Sequence, residues 1–543
     1  MDIRELQQRY VKAPQAAALL KLLEDEKAEN VFLQGLMASA TPLFFAAVAE
    51  KTARTFLFAL QDADEAGYFY HDLTQVLGTR NVLFFPSSYK RSVRYGQRDS
   101  ANEILRTEVL ARISAREAGS SAPLFIVSHP EALSELVVSK QRLDAQRLSL
   151  RVGGQVDITE VEHTLRGYGF EEVDYVYEPG QFAVRGSILD VYSFSCEYPF
   201  RIDFFGREID TIRTFEVQDQ LSKDRRNEAE IVPELATLTA EKISFLKFLP
   251  EDSVLVVKDF AYIHDVIDRV YHEGFAKQAV AERLEGATEM EQKQILSELN
   301  KEASLLTAHR FTEEAACFRR VEFGMNAGKT AADVRQDASK YSVLKFNITP
   351  QPLFHKNFDL LVDTFEDYML KGYQLYILAD SERQTQRLKD IFADMDSPKA
   401  RSIKFEPVNK TLHEGFADDD LRVCFFTDHQ IFDRFHKYNL KSDEARAGKM
   451  ALTMKELQEM EPGDFIVHVD YGIGKFGGLV RVPTGNSYQE MIRIVYQHND
   501  KVDVSIHSLY KISKYRRADS GPPRLNMLGT GAWERLKEKT KKR

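Results

Sequence analysis

At 543 residues the chain is too long for one hydrophobic core, and about three to five domains are expected. A net charge of −10, from 73 basic and 83 acidic residues, excludes a nucleic-acid or membrane binder that uses its whole surface. No apolar run reaches the length of a membrane span, Met1–Tyr10 is too polar for a secretory signal, and Cys196, Cys317 and Cys424 are scattered, so a reducing, cytoplasmic setting is expected.

Residues 1–127 read as one α/β domain. Strand-like runs recur at Val31–Leu33, Thr55–Leu60, Val82–Phe85 and Leu124–Val127, with helical patterns at Pro14–Glu26 and Asn102–Ala115. That alternation predicts a parallel sheet covered by helices. After the first strand, Gly35 opens a turn, and Thr41 and Pro42 read as the N-cap and first position of a helix. Strand, glycine turn and helix make the frame of a phosphate loop, which needs G-x-x-x-x-G-K-[ST]. Counting from Gly35, the last three positions hold Ala40, Thr41 and Pro42. The lysine and the Mg²⁺-binding hydroxyl are missing, and Pro42 removes a backbone donor. The loop is read as inactive. Asp62, Asp64 and Glu65 resemble an acidic Mg²⁺ box but read better as a turn and helix start. Tyr89, Lys90, Arg91, Arg94, Tyr95 and Arg98 interleave charge and aromatic rings, as a nucleic-acid contact or a solvated loop would.

Residues 128–228 change character. A helix at Ile158–Gly167 precedes short runs at Val173–Tyr177, Gln181–Arg185, Ser187–Phe194, Phe200–Phe204 and Glu208–Thr214, which predict an antiparallel α+β insertion. Arg185, Arg201, Arg207 and Phe205 have the chemistry of an interface anchor, although a charged strand face above a core Phe has the same pattern. Residues 229–349 return to α/β, with a strand at Ser253–Lys258 and a helical run at Tyr262–Glu302. Gly324-Met-Asn-Ala-Gly328-Lys329-Thr330 mimics a nucleotide loop, but it has three residues between the glycines where four are required.

A second, smaller α/β unit is expected over 350–446, with strands Gln374–Leu378, Ser402–Phe405 and Arg422–Phe426 and a helix at Ser381–Ala393. In it His429 and His436 are seven apart with no nearby cysteine, so they read as surface histidines and no metal is expected. A polar helical linker over 447–461 leads to an all-β module, 462–520, with strands at Phe465–Val469, Lys475–Val482, Glu490–Tyr496 and Lys501–Ser505. Gly472, Gly474, Gly477 and Gly478 suit a small, strongly curved barrel with an open sheet edge. Met491–Val495 is apolar apart from Arg493, and reads either as a binding face or as a core strand. Residues 521–543 are a basic helical stretch that stops in mid-turn, so further chain is expected beyond it.

This order of parts resembles the N-terminal half of the bacterial transcription-repair coupling factors (Mfd). Tyr177–Phe194 (YEPGQFAVRGSILDVYSF) and Arg201–Asp210 (RIDFFGREID) are similar to a motif shared with UvrB. Pro462–Gly478 and Ser508–Tyr515 are similar to the polymerase-interacting module of CarD-like regulators, which UvrB does not have. The resemblance implies a multidomain α/β chain: a UvrB-like α/β domain with a degenerate P-loop at Gly35, Ala40, Thr41 and Pro42, an inserted α+β module, a second small α/β domain, and a C-terminal SH3-like or Tudor-like β-barrel. It implies UvrA binding through Arg185, Arg201 and Phe205, and binding of the RNA polymerase β subunit by edge-strand pairing, with Ile492, Ile494 and Arg493 as contacts. It further implies no catalytic residue, metal or cofactor in this stretch, ATP and Mg²⁺ and most DNA contact belonging to motor domains elsewhere, and a monomer that acts as a recruitment scaffold. Two rivals stand beside it: a nucleotide-dependent repair enzyme using Gly324–Thr330, and a UvrB-like DNA binder using Lys90–Arg98 and the basic tail.

Overall fold

A computed structural model describes residues 3–25, 30–90, 92–116, 122–217, 220–235, 242–325, 341–434, 436, 438, 440, 457, 460–484, 487–505, 512–515, 523–529 and 533. The chain divides into two compact units, Met1–Asp144 with Leu235–Leu440, and Ala145–Glu234 with Lys441–Arg543. Among the described residues no helix is long and apolar enough to cross a membrane.

The first unit is built on a seven-stranded, all-parallel sheet in the order Tyr341–Lys345, Asn30–Gln34, Arg319–Gly324, Val254–Val257, Thr55–Ala59, Leu124–Ser128, Val82–Phe85. Parallel strands need crossover connections, and the helices Ala40–Val48, Ala63–Leu77 and Ser100–Ser114 supply three of them. The central strands are buried along their whole length, which is why they read as continuous apolar runs such as TFLFA and VLVV. Asp62 caps the helix Ala63–Leu77 by accepting from Glu65 N, as expected of a turn and helix start.

A five-stranded mixed sheet follows: Ile348–Pro350, Phe416–Asp418, Val423–Thr427, Gln374–Leu378, Glu406–Val408. Ser402 ends a helix instead of starting the expected strand at 402–405, because Pro398 occupies a first-turn position and Ser397 caps it. This sheet does not stand apart as a separate domain over 350–446. One apolar cluster runs from Val31, Phe45 and Phe58 to Tyr376, Leu378 and Phe425, and Tyr10 Oη donates to Asp418 Oδ2 at 2.7 Å.

The inserted module also begins later than the 128–228 read from the sequence. Val137–Val138 pairs with Lys242–Ile243 inside the first unit, so the module is Ala145–Glu234. Its six-stranded sheet runs Ser222–Arg226, Glu208–Phe215, Phe200–Phe205, Ile188–Val191, Gln181–Arg185, Glu171–Glu172. Val161 and Leu165 of the helix Ile158–Gly167 pack on Phe182, Leu189, Ile202 and Ile212. Residues 173–177 are not a strand. They lead into the Glu178–Gly180 turn, where Gln181 Oε1 accepts from both Tyr177 N and Glu178 N.

The last module is a five-stranded antiparallel sheet ordered Lys501–Ser505, Ser487–Val495, Gly472–Thr484, Phe465–His468, Ile512–Lys514. Its curvature has visible causes. The ladder shifts register between Phe476 and Leu479, across Gly477 and Gly478, and a Cβ on Gly474 would meet Ile494 Cγ2 at 2.5 Å. Most of the expected linker at 447–461 and of the basic tail lies outside the described residues.

Candidate interaction surfaces

The Gly35 turn is closed by its own chain. Gly35 has φ +83°, and a Cβ there would lie 2.2 Å from the Phe346 carbonyl oxygen. The following helix begins at Ala40 with Ser39 at the cap, two residues earlier than Thr41 suggests. Ala40, Thr41 and Pro42 are all buried. Ser39 Oγ accepts from Glu414 N at 2.9 Å and donates to Asp72 Oδ2 at 2.5 Å, while Asp72 Oδ1 accepts from His413 N at 2.8 Å. Complete burial pushes the Asp72 carboxyl up to about 8 despite these hydrogen bonds. The backbone of the second sheet's 413–414 loop therefore sits at the helix start, where an intact loop would hold phosphate.

The outer face of the inserted sheet brings Arg185 and Arg201 together on one carboxylate. Asp190 is wholly buried and pairs in register with Arg201, which donates from Nε and Nη2 at 2.8 and 2.9 Å. Arg185 donates to the same carboxylate from the neighbouring strand. The two guanidiniums differ in freedom. Arg201 is held under the Gln220 carbonyl and over the Phe215 ring, and its hydrogen bonds to Asp190 raise its pKa above the usual arginine range. Arg185 is more open, lying over Tyr175 at 5.1 Å and donating to the Asp174 carbonyl at 2.9 Å. Along Phe200–Phe205 burial alternates, so Arg201, Asp203 and Phe205 share the outward face. Asp203 pairs with Arg213, and Phe205 ends the strand at a two-residue hairpin turn, 83% exposed. Gly206, at φ +64°, makes the turn. Asp190 and Tyr175 escaped the sequence reading. The register of the RGSILDV hairpin carries the signal for Asp190; no local pattern marks Tyr175.

The five-stranded C-terminal sheet corrects the second set of contact residues. Ile492 and Ile494 are fully buried and pack with Ile466, Phe476, Tyr496, Val504 and Ile512. They cannot serve as exposed apolar contacts, because their strand is hydrogen-bonded on both sides and is not an edge. Arg493 faces outward and makes a bidentate pair with Asp503, both contacts at 2.8 Å. The edges are Lys501–Ser505 and Ile512–Lys514. The exposed apolar residues of this module include Val469, Tyr471 and Leu479.

Other singled-out stretches resolve as follows. Tyr89 and Val93 pack on Phe275, Leu299 and Leu305, and Arg283 donates to the Gly96 carbonyl, so the 89–98 loop is anchored at its base and leaves Lys90, Arg94 and Tyr95 exposed. Arg91 and residues 326–330, including Lys329 and Thr330, lie outside the described residues. His429 and His436 are not surface histidines. Their rings stack at 4.4 Å, and His413 joins them. Burial, and then the neighbouring His436, lower His71 and His413 to about 4 and His429 to about 3, so these imidazoles are neutral near pH 7.

Set beside known proteins, residues 148–236 match the model of the UvrB interaction domain, and residues 460–516 match that of the CarD-like/TRCF RID domain. The first match agrees with the module boundaries seen in the fold. The transcription-repair-coupling factor of Bacillus subtilis (strain 168) is 24% identical over 570 residues, covering 95% of this chain and 47% of that protein. That of Staphylococcus aureus (strain USA300) is 22% identical over 560 residues, covering 94% and 47%. The chain spans about half the length of these curated relatives. Over nearly all of its own length, then, it is similar to the transcription-repair-coupling factors, and it carries both a UvrB interaction domain and a CarD-like/TRCF RID domain.

Proposed function

We propose that this chain is a recruitment scaffold of transcription-coupled nucleotide-excision repair. The inserted module binds UvrA, and the C-terminal barrel binds the β subunit of RNA polymerase. The observation that carries the reading is the pairing, on one chain, of a UvrB-interaction module with an exposed aromatic tip and a CarD-like sheet with two open edges. Phe205 is the anchor on the module, and Arg185, lying over the Tyr175 ring, is a second contact on the same sheet; Arg201 positions Arg185 through Asp190. On the barrel the docking element is an edge strand, because only an edge offers unpaired backbone groups to a partner strand.

In this reading the Gly35–Pro42 turn, an SH3-like barrel and a monomeric state complete a chain that holds no nucleotide, and ATP-driven translocation belongs to parts of the relatives that this chain does not match. Support for an idle loop comes from the buried Ala40, Thr41 and Pro42 and from the 413–414 backbone seated at the helix start.

Separate titrations of the purified chain with UvrA and with the polymerase β subunit test the proposal, wild type beside Phe205→Ala. Both partners should bind, and the variant should weaken UvrA binding by about tenfold or more while leaving the polymerase affinity unchanged. A wild-type chain that binds neither partner at micromolar concentration overturns the scaffold reading. ATP binding competed by unlabelled nucleotide would overturn the idle loop.

A further inference from the structure

Four histidines from separate stretches of the first unit meet at one place. His71 lies on the helix Ala63–Leu77, His413 on the loop before the strand Phe416–Asp418, His429 on the short helix Asp428–Ile431, and His436 beyond it. One ring nitrogen from each of His413, His429 and His436 falls within 4.8 Å of the others. His413 Nδ1 and His436 Nδ1 are 3.5 Å apart. Two nitrogens bound at about 2.0–2.1 Å to one tetrahedral ion are separated by about 3.3 Å, so this pair already stands near ligand spacing.

As placed, the His429 and His436 rings stack face to face at 4.4 Å, so the rings must turn for their in-plane lone pairs to meet at one ion; the other contacts of the cluster suit coordination. His429 Nε2 lies 2.8 Å from the His413 carbonyl oxygen, which makes Nε2 the N–H donor and leaves Nδ1 basic, with only the Thr411 hydroxyl at 3.4 Å. A backbone carbonyl on the far nitrogen is the usual support of a ligating histidine. His71 Nε2 is buried without a hydrogen-bond partner, and its ring stands edge-on to His436 at 4.9 Å. Tyr68 fixes the assembly by stacking on His413 at 3.5 Å and donating to the His436 carbonyl at 2.8 Å. Of the nearby carboxylates, Asp72 is occupied by Ser39 and His413 N, while Asp380 acts on His436 through its charge. Imidazole donors without hard oxygen partners suit Zn²⁺, Cu²⁺ or Ni²⁺ and not Mg²⁺ or Ca²⁺.

We propose that His413, His429 and His436, with His71 in the fourth position, bind one Zn²⁺-class ion. Four protein ligands make a closed site, which is structural. The ion fastens the stretch at His436 to the helix Ala63–Leu77 and to the 413–414 loop that covers the Gly35 turn.

Untagged, EDTA-stripped chain titrated with Co²⁺ and, separately, with Zn²⁺ provides the test. One equivalent of Co²⁺ should give the strong visible absorption of a tetrahedral nitrogen site, and Zn²⁺ should displace it and raise Tm, reversibly with EDTA. His436→Gln should weaken binding by about 100-fold and His71→Gln by about tenfold, whereas His309→Gln, on an exposed ring elsewhere, should change nothing. Circular dichroism of each metal-free variant checks folding, and if His436→Gln is misfolded the His71→Gln titration decides. No Co²⁺ absorption by the wild type, or equal binding by wild type and the folded His436→Gln or His71→Gln chain, overturns the proposal.

Discussion

Two largely antiparallel sheets in this chain carry the same sequence signal, an alternating strand with arginine among apolar residues, and they use it in opposite ways. In the inserted module, Phe200–Phe205 ends at a hairpin turn, so its last aromatic has no layer to pack against and projects into solvent. In the C-terminal sheet, Ser487–Val495 lies between two partner strands, and Ile492 and Ile494 face its core. Alternation tells which residues share a face. It does not tell whether that face closes on itself, and that depends on the position of the strand in the sheet.

The largest effect that tests this contrast is Ile492→Arg. A guanidinium forced among Ile466, Phe476 and Val504 has no partner, and the module should lose about 4 kcal/mol or more and unfold locally. Polymerase binding then disappears together with the barrel's structure. If circular dichroism and Tm are preserved while polymerase binding is lost, Ile492 is an exposed contact after all and the inward orientation is wrong.

Arg201→Ala against Arg185→Ala comes next. Removing Arg201 strips two hydrogen bonds from the fully buried Asp190 and leaves Arg185 as its remaining cation, a loss of about 3 kcal/mol in urea unfolding. Arg185 is about one-third exposed and shares the same carboxylate, so its loss should be smaller than that of Arg201. UvrA affinity is expected to fall in both variants, through misplacement of Arg185 in the first and loss of the contact itself in the second. Equal destabilisation by the two changes would remove the distinction between a positioning and a contacting arginine.

The sequence was most informative where one physical demand acted alone. Val31–Leu33, Thr55–Leu60 and Val82–Phe85 read as buried strands because a parallel sheet covered on both faces favours apolar side chains at nearly every position. It misled where two patterns coincide: 173–177 alternates like a strand, but it serves the Glu178–Gly180 turn and leaves Tyr175 exposed beside Arg185. Groups from distant stretches were out of reach. Nothing near His429 announces His71 or His413, and Asp190 becomes legible only once the register of the RGSILDV hairpin against Phe200–Phe205 is known. The boundary of the inserted module was displaced for a similar reason, since Val137–Val138 finds its partner only at Lys242–Ile243.

The smallest expected effect is that of Arg493→Met. Its guanidinium lies on the outer face of the C-terminal sheet, paired with Asp503 across the ladder on the edge strand Lys501–Ser505. Water reaches the pair, so the attraction is screened, and methionine keeps the length of the stem along the sheet. Tm should stay within about 2 °C of wild type. Binding of the polymerase β subunit separates two geometries. Pairing along the edge uses backbone groups of Lys501–Ser505 and should survive with little change in affinity, because the strand stays bonded to its neighbour through the ladder. A strong loss of affinity at unchanged Tm would put the partner on the outer face instead, where Arg493 would be to the barrel what Arg185 is to the inserted module.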